Sequence, residues 1–245
     1  MTDPIPTIID VHAMLGVENH LRLDADALLE QMDRHGITAA ITRPMGRELV
    51  WAWREGNDAR LRHSEADRLR AWVTANPWAG NEAIDELRRC ADRGAAGLFL
   101  HPARQGFMPI ESVNMALVEQ AASLNWPVMM QAGTYVYGDI LAMAEVARRF
   151  PQTSFILGGG GFTDMWFEVP DAMAEHGNLL LETSLLWGDA ILELVNAGFG
   201  DRLLFGSGAP RNHPEVVLNM LDRLDLPDAA HQAILGGNAQ RVLTW

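Results

Sequence analysis

The segment Ile9–Gly16, with the sequence IDVHAMLG, carries the first side chains of the chain that could do chemistry. Alternation along a strand places His12 and Met14 on the same inward face. A second histidine at position 14 would complete a metal-binding pair, whereas the Met14 thioether is a soft ligand that suits copper(I) better than zinc or manganese. Because methionine most often fills core space, this segment predicts a poor site for a hard metal.

Two further side chains that could do chemistry lie at the C-terminal ends of predicted strands. His101, in LHPARQGF, could act as an acid, a base or an anion-binding group, although a structural histidine packed before Pro102 explains the pattern equally well. Glu182 either faces His12 or is an outward, hydrogen-bonded strand residue, and the sequence does not decide between these. We take His12, His101 and Glu182 as the candidate catalytic residues.

The glycine run at 158–161 follows the sixth predicted strand. Its backbone amides could cradle an anion, as exposed amides do in other proteins. A tight turn whose neighbours fill the free space is the simpler explanation, and we favour it.

The elements that must position these residues alternate along the whole chain. Short β-branched or leucine-rich runs alternate with amphipathic helical patterns, which predicts parallel strands joined by crossover helices. The expected strands are Ile8–Val11, Ala39–Thr42, Ala71–Ala75, Gly97–Leu100, Val128–Gln131, Phe155–Leu157, Leu179–Thr183 and Leu203–Gly206. A chain of 245 residues has the usual size of one TIM barrel, so we expect a single α/β domain of the (β/α)8 type over residues 1–245. A doubly wound sheet is the alternative, but its glycine-rich fingerprint does not follow the first strand.

The strand-end segments resemble those of the amidohydrolase family that includes aminocarboxymuconate-semialdehyde decarboxylase and resorcylate decarboxylases. The resemblance covers nearly the whole chain and implies an amidohydrolase-like barrel. It rests on the segments IDVHAMLG, GLFLHPARQGF, PVMMQAG, FILGGGGF, LLLETS, LLFGSGAP and ILGGNAQRVL, in this order.

In that family a His-x-His pair ends the first strand, later strands supply further histidines, and an aspartate in GSDxP ends the eighth. These side chains hold the metal, and the aspartate commonly serves as the acid or base beside the metal-bound water. Only His12 keeps a ligand type here, because the matching positions are Met14, Gln131, Gly159 and Gly208. A divalent ion needs about three to four strong donors. The resemblance therefore implies a degenerate metal site, and we expect neither a metal nor another cofactor.

The composition excludes several classes of partner. The chain has 32 acidic and 19 basic residues, a formal charge of −13 that repels nucleic acid and anionic membrane surfaces. The N-terminus lacks the pattern of a signal peptide, and no apolar run approaches about 20 residues, so a cytoplasmic protein is expected. The single cysteine, Cys90, has no partner for a disulfide within the chain.

Large apolar residues cluster on presumed strand ends and loops, as at Trp51–Trp53, Phe107–Met108 and Trp166–Phe167. They either line an apolar pocket, cap the barrel or form a contact surface. The expected substrate-binding residues are Gln131, Arg104, Arg211, Trp51 and Trp166. Because the related decarboxylases assemble as dimers or tetramers, the resemblance also implies a homo-oligomer, or a hetero-oligomer with an intact amidohydrolase paralogue.

Three functions remain open. The loss of metal ligands predicts first a non-catalytic subunit or regulator of a related hydrolase or decarboxylase. The alternative is a metal-independent hydrolase or decarboxylase acting on a small carboxylated or lactone-like substrate, and the third is a protein that binds a small-molecule ligand.

Overall fold

The computed structural model describes residues 7–64, 68–160 and 165–243. Its sheet has nine strands, of which eight are parallel and follow one another around a barrel. The amide of Val11 donates to the carbonyl of Phe205 at 2.9 Å. This hydrogen bond joins the first strand to the residue that follows the last strand. The strands are β1 (Ile8–Glu18), β2 (Leu21–Leu23), β3 (Ile37–Pro44), β4 (Leu69–Val73), β5 (Gly97–Leu100), β6 (Val128–Gln131), β7 (Phe155–Gly158), β8 (Leu179–Glu182) and β9 (Leu203–Leu204).

All eight predicted strands are present, so the expected TIM barrel of the (β/α)8 type is confirmed. One strand was not predicted: β2 pairs antiparallel with the end of β1, through Gly16 opposite Leu23. The turn between them contains Asn19, which adopts a positive φ of 53°. This hairpin lengthens the first strand well beyond the barrel wall.

Helices pack around the barrel between successive strands. They are α1 (Ala25–His35), α2 (Arg47–Val50), α3 (Trp53–His63), α4 (Asn81–Ala91), α5 (Pro102–Gln105), α6 (Ser112–Ser123), α7 (Ile140–Arg149), α8 (Val169–Glu175), α9 (Gly188–Asn196), α10 (Pro214–Arg223), α11 (Asp228–Gln232) and α12 (Asn238–Val242). Local capping explains several boundaries: Asp24 and Asp139 accept hydrogen bonds from the first turns of α1 and α7, and Gly36 ends α1 in the left-handed conformation. Within the described residues, no helix combines the length and apolarity needed to cross a bilayer.

The core has two parts. A larger apolar cluster lies between the strands and the helices, and a smaller one fills the inside of the barrel. The inner cluster takes side chains from each barrel strand: Ile9, Val11, Ile41, Trp72, Phe99, Met129, Ile156, Leu180 and Leu204. Because side chains alternate along a strand, the residue two positions further along each strand also faces inward, one layer nearer the mouth.

Candidate active site at the barrel mouth

A cavity of about 130 Å³ lies above the inner apolar cluster, at the carboxyl ends of the barrel strands. Most of its lining comes from the next inward positions of the strands and from the loops that follow. The lining residues are His12, Met14, Arg43, His101, Gln131, Ala132, Thr134, Ser184, Leu185, Gly208 and Arg211. This is the location at which TIM-barrel enzymes carry their active sites.

An irregularity in β1 turns His12 into this cavity. Ile9 and Val11 pack inside the barrel, whereas Ala13 and Leu15 pack outside against the helices. The pairing of β1 with β3 shifts register between Asp10 and Ala13, which is the effect of a β-bulge. His12 and Met14 therefore share the inward face, as the sequence predicts.

His12 is held at both ring nitrogens. Its Nδ1 lies 2.8 Å from Oε1 of Glu182, and its Nε2 lies 2.8 Å from Nε of Arg43. Because a guanidinium can only donate, Nε2 accepts, and the proton of the neutral ring must lie on Nδ1 and point to the carboxylate. Neither nitrogen is left for proton exchange with a substrate.

Glu182 is fully buried behind His12 and does not line the cavity. Its carboxylate also accepts hydrogen bonds from the amide of Gly159 and from the amide and hydroxyl of Ser184, both at 2.9 Å. Burial raises the pKa of Glu182, but His12 and these donors lower it by more, so the net shift is downward. A Cβ at Gly206 would lie 2.2 Å from Oε2 of Glu182, so only glycine leaves room for this carboxylate.

Arg43 completes the chain of polar contacts. It is 4% exposed, its guanidinium stacks 4.3 Å above the ring centre of Phe99, and Nη1 donates to the carbonyl of Pro44 at 3.0 Å. Burial and the neighbouring Arg211 lower the pKa of Arg43 to about 9, against the opposing effect of Glu182. The group therefore stays charged at neutral pH.

Asp10 ties the first strand to the last. Its carboxylate accepts hydrogen bonds from the amide of His12 at 3.0 Å, the amide of Ser207 at 2.9 Å and the hydroxyl of Ser207 at 2.5 Å. Burial raises its pKa in spite of these bonds. Asp10 thus fixes the backbone on which His12 is mounted and takes no part in lining the cavity.

His101 faces the same cavity from the end of β5. Burial, followed by repulsion from Arg43 and Arg211, lowers the pKa of His101 to about 3, so the ring is neutral near pH 7. Its Nδ1 is buried and has no hydrogen-bond partner among the described residues. Unlike His12, which is bonded at both ring nitrogens, His101 lines the cavity with a ring that no side chain of the described residues holds by a hydrogen bond.

The positions that match the family's metal ligands are put to other uses. Gln131 donates to the carbonyl of Gly158 at 3.0 Å, and a Cβ on Gly159, whose φ is +74°, would lie 2.4 Å from its Nε2. Gly208, with a φ of +69°, donates its amide to the carbonyl of His12 at 2.8 Å. Met14 supplies only a thioether. These residues do not fit a divalent ion, since the single imidazole ligand is already bonded to Arg43.

The remaining predicted residues fall in different places. Arg211 lines the cavity, whereas Arg104 pairs with Glu18 outside it. Arg104 and Trp51 share a separate surface depression, and Trp166 is half-buried on the side of the barrel, so none of these three lines the cavity with His12. Of the glycine run, Gly158 ends β7, Gly159 and Gly160 form the turn beside Gln131, and Gly161 lies outside the described residues.

One other group in the described part of the chain could hold a metal ion. The ligand atoms of His35, His213 and Glu215 lie within 4.8 Å of one another where α1 meets the start of α10. None of the three lines the cavity. Sequence reasoning did not single them out, because His35 is distant from the other two along the chain.

Comparison with known proteins places this barrel in a family. The amidohydrolase family model matches residues 22–245, so the chain belongs to the amidohydrolase family. No curated protein matches the sequence.

Solved structures of the same fold include enzymes that act on carboxylated compounds. A 2,6-dihydroxybenzoate decarboxylase in complex with 2,6-dihydroxybenzoate is 16% identical, with a TM-score of 0.77 over 97% of this chain and 99% of that one. The 5-carboxyvanillate decarboxylase of Sphingomonas paucimobilis is 12% identical, with a TM-score of 0.77 over the same shares. A probable 2-pyrone-4,6-dicarboxylic acid hydrolase of Acinetobacter baumannii, with citric acid bound, is 14% identical, with a TM-score of 0.74 over 96% and 98%.

Proposed function

We propose that this chain is a metal-independent hydrolase that acts on a small carboxylated ester or lactone at the barrel mouth. The observation that carries the proposal is the composition of the cavity, in which the neutral imidazole of His101 faces the cations Arg43 and Arg211. An enzyme that cleaves an ester needs a group to take a proton from water and a cation beside the oxygen that becomes negative. Both types of group are present within one cavity.

The reaction is balanced by water alone. His101 accepts a proton as the water oxygen attacks the carbonyl carbon, and an arginine stabilises the oxyanion that forms. The C–O bond to the leaving group then breaks, and the protonated His101 returns its proton to the departing oxygen. The second arginine is free to hold the substrate carboxylate, which is the usual partner of a guanidinium.

This proposal takes the enzymatic alternative over a non-catalytic subunit. A barrel kept only for packing has no need of an open cavity with unpaired polar groups, and structures of the same fold include decarboxylases and a hydrolase. We favour hydrolysis over decarboxylation because decarboxylation requires an acid that delivers a proton to carbon. The described lining contains no carboxylic acid, and His101 is a poor acid while neutral.

The test is a turnover assay on protein dialysed against a chelator and checked for metal content. Candidate substrates are 2-pyrone-4,6-dicarboxylate, whose ring opening is followed by absorbance, and 2,6-dihydroxybenzoate, whose decarboxylation releases CO₂. We expect ring opening or ester cleavage that persists without metal and falls roughly 100-fold or more in His101→Gln, the scale of general-base catalysis. The matched control is Arg104→Gln, a neighbouring substitution outside the cavity, which keeps the wild-type rate.

Three results would contradict the proposal. CO₂ release without hydrolysis would make the chain a decarboxylase. Activity that the chelator abolishes and zinc restores would end metal independence. An absence of turnover across carboxylated lactones, esters and hydroxybenzoates would favour the non-catalytic subunit.

A further inference from the structure

Arg43 occupies an unusual place for a charged side chain. It lies in the barrel interior, on β3 directly beside Met14 in the β1–β3 register, and is almost completely buried. Burying an unpaired cation is costly, so the groups that compensate for this burial indicate what the residue does. Its nearest polar partner is not a carboxylate but the Nε2 atom of His12.

The full arrangement is a chain of three side chains joined by two hydrogen bonds. The carboxylate of Glu182 accepts from Nδ1 of His12 at 2.8 Å, and Nε2 of the same ring accepts from Nε of Arg43 at 2.8 Å. Histidines that bind metals almost always give their other ring N–H to a carboxylate or carbonyl, which fixes the tautomer and makes the ligating nitrogen more basic. His12 has this environment, but a guanidinium stands where the metal would be.

The charges around the cavity agree with a guanidinium in place of a metal ion. Glu182 lies behind His12, so its charge is used to balance Arg43 through the imidazole. The Nη2 atom of Arg43 has no hydrogen-bond partner among the described residues, and the side chain lines the cavity together with Arg211. No acidic side chain stands among the described lining residues. A protein with a formal charge of −13 thus presents two cations in this cavity.

We infer that the Arg43 guanidinium replaces the divalent ion of the family's site, as a built-in cation that excludes a metal from His12 and binds an oxygen of a carboxylate-bearing substrate. The choice of substrate class rests on the proposed function. The replacement itself concerns only the residues around His12. Unlike a metal, this cation cannot be removed by a chelator. It also requires no metal-ligating side chains at positions 14, 131, 159 and 208.

The first experiment measures metal binding and needs no turnover. Met14→His together with Gln131→His adds two imidazoles to the cavity that His12 lines, since both positions belong to its lining. Co²⁺ is titrated into this double variant and into the same variant carrying Arg43→Ala, with the visible absorbance of Co²⁺ as the signal. We expect binding to be about 10- to 100-fold tighter without Arg43, because the ion no longer has to break a hydrogen bond to a charged group.

The second experiment measures anion binding by calorimetry with benzoate as the probe. Wild type, Arg43→Gln, Arg43→Lys and the control Arg104→Gln are compared at low and high salt. Arg43→Gln should lose about 10-fold or more in affinity together with part of the salt dependence, by the loss of one charged hydrogen bond. Arg43→Lys keeps the charge but not the planar donor, and should retain an intermediate affinity. Arg104→Gln should bind as wild type does.

The folding of each variant is checked by circular dichroism and urea unfolding, and Arg43→Lys provides a folded comparison if Arg43→Gln is unstable. Equal Co²⁺ affinity with and without Arg43 would overturn the exclusion of metal. Unchanged benzoate affinity in both Arg43 variants would overturn the role in anion binding. Either result can be read whether or not the protein hydrolyses a substrate, so failure of this inference is distinct from failure of the proposed hydrolase activity.

Discussion

The neutral state of His101 makes the stability of the protein depend on pH in a defined window. The pKa of this imidazole is about 3 in the folded chain and 6.5 as an ordinary histidine. Between these values the unfolded chain binds a proton that the folded chain does not. The free energy of unfolding therefore rises with pH across this window and falls as the solution is acidified from pH 6.5 towards pH 3.

The size of the effect follows from the two pKa values. One pKa unit corresponds to 1.36 kcal/mol, so lowering the pH from 7 to 5 removes at most about 2 kcal/mol through this one group. His101→Gln cannot be protonated and should lose that component. Other titrating groups contribute to wild type and variant alike, so their difference isolates His101.

Urea unfolding at pH 7 and at pH 5 measures this quantity for both proteins. We expect the stability of wild type to fall by up to about 2 kcal/mol more than that of His101→Gln between the two pH values. His231→Gln serves as the control, since it also replaces a histidine by glutamine but at a position outside the cavity. If wild type and His101→Gln lose stability in parallel, burial and the neighbouring cations do not hold His101 neutral between pH 7 and pH 5.

Three further outcomes are expected. Elemental analysis of the purified protein should find no stoichiometric zinc, manganese or iron bound through His12; an ion that disappears in His35→Gln belongs to the cluster with His213 and Glu215 and does not count against this. Gly206→Ala should lower the free energy of unfolding by roughly 1–3 kcal/mol, the cost of overpacking, because its Cβ would lie 2.2 Å from Glu182, whereas Gly177→Ala, which has no heavy atom within 4 Å, should be near neutral by the same urea assay. Light scattering should give an oligomeric mass at micromolar concentration, since Trp51 and Phe167 are 82% and 62% exposed; a strictly monomeric mass, alone and with an intact paralogue, would exclude the predicted oligomer.

The apolar residues behind that last expectation do not all behave alike. Trp53 and Phe107, predicted with their neighbours to form an interface or a lid, are 7% and 1% exposed and belong to the core of this chain. Trp51, Met108 and Phe167 are the exposed members of the same segments. Sequence reasoning placed all of them on loops but could not tell which face of a short helix or turn each would occupy.

The barrel itself could be predicted because its signals are local. The predicted strands fall on the observed ones, and Gly97–Leu100 and Val128–Gln131 coincide with β5 and β6. Capping residues and hydrophobic periodicity set these limits within a few residues of sequence. The β2 hairpin was missed because a strand of three residues has too little pattern to detect.

The site was predicted only as far as single strands allow. His12, His101, Gln131 and Arg211 lie at the ends of predicted strands or in the loops after them, where a barrel carries its functional side chains, and the cavity does contain them. Arg43 has the same position, two residues beyond Ile41 of the inner cluster, and that spacing is the signal that could have identified it.

Arg43 was not predicted as a site residue because the sequence was compared with a set of metal ligands, and a guanidinium is not a metal ligand. A carboxylate and an imidazole at the mouth of a barrel suggest a metal site as long as the group that contacts the second ring nitrogen is unknown. Here that group is the guanidinium of Arg43. The chemical meaning of His12 is set by which group meets its Nε2 atom, and that depends on the pairing of β1 with β3 and on the bulge at Asp10–Ala13. Both are tertiary facts, because each requires two strands to be placed side by side. Under the inference drawn for Arg43, the lost ligand types at positions 14, 131, 159 and 208 correspond to a change in the source of positive charge at the cavity, because the Arg43 guanidinium bonds the one imidazole that remains.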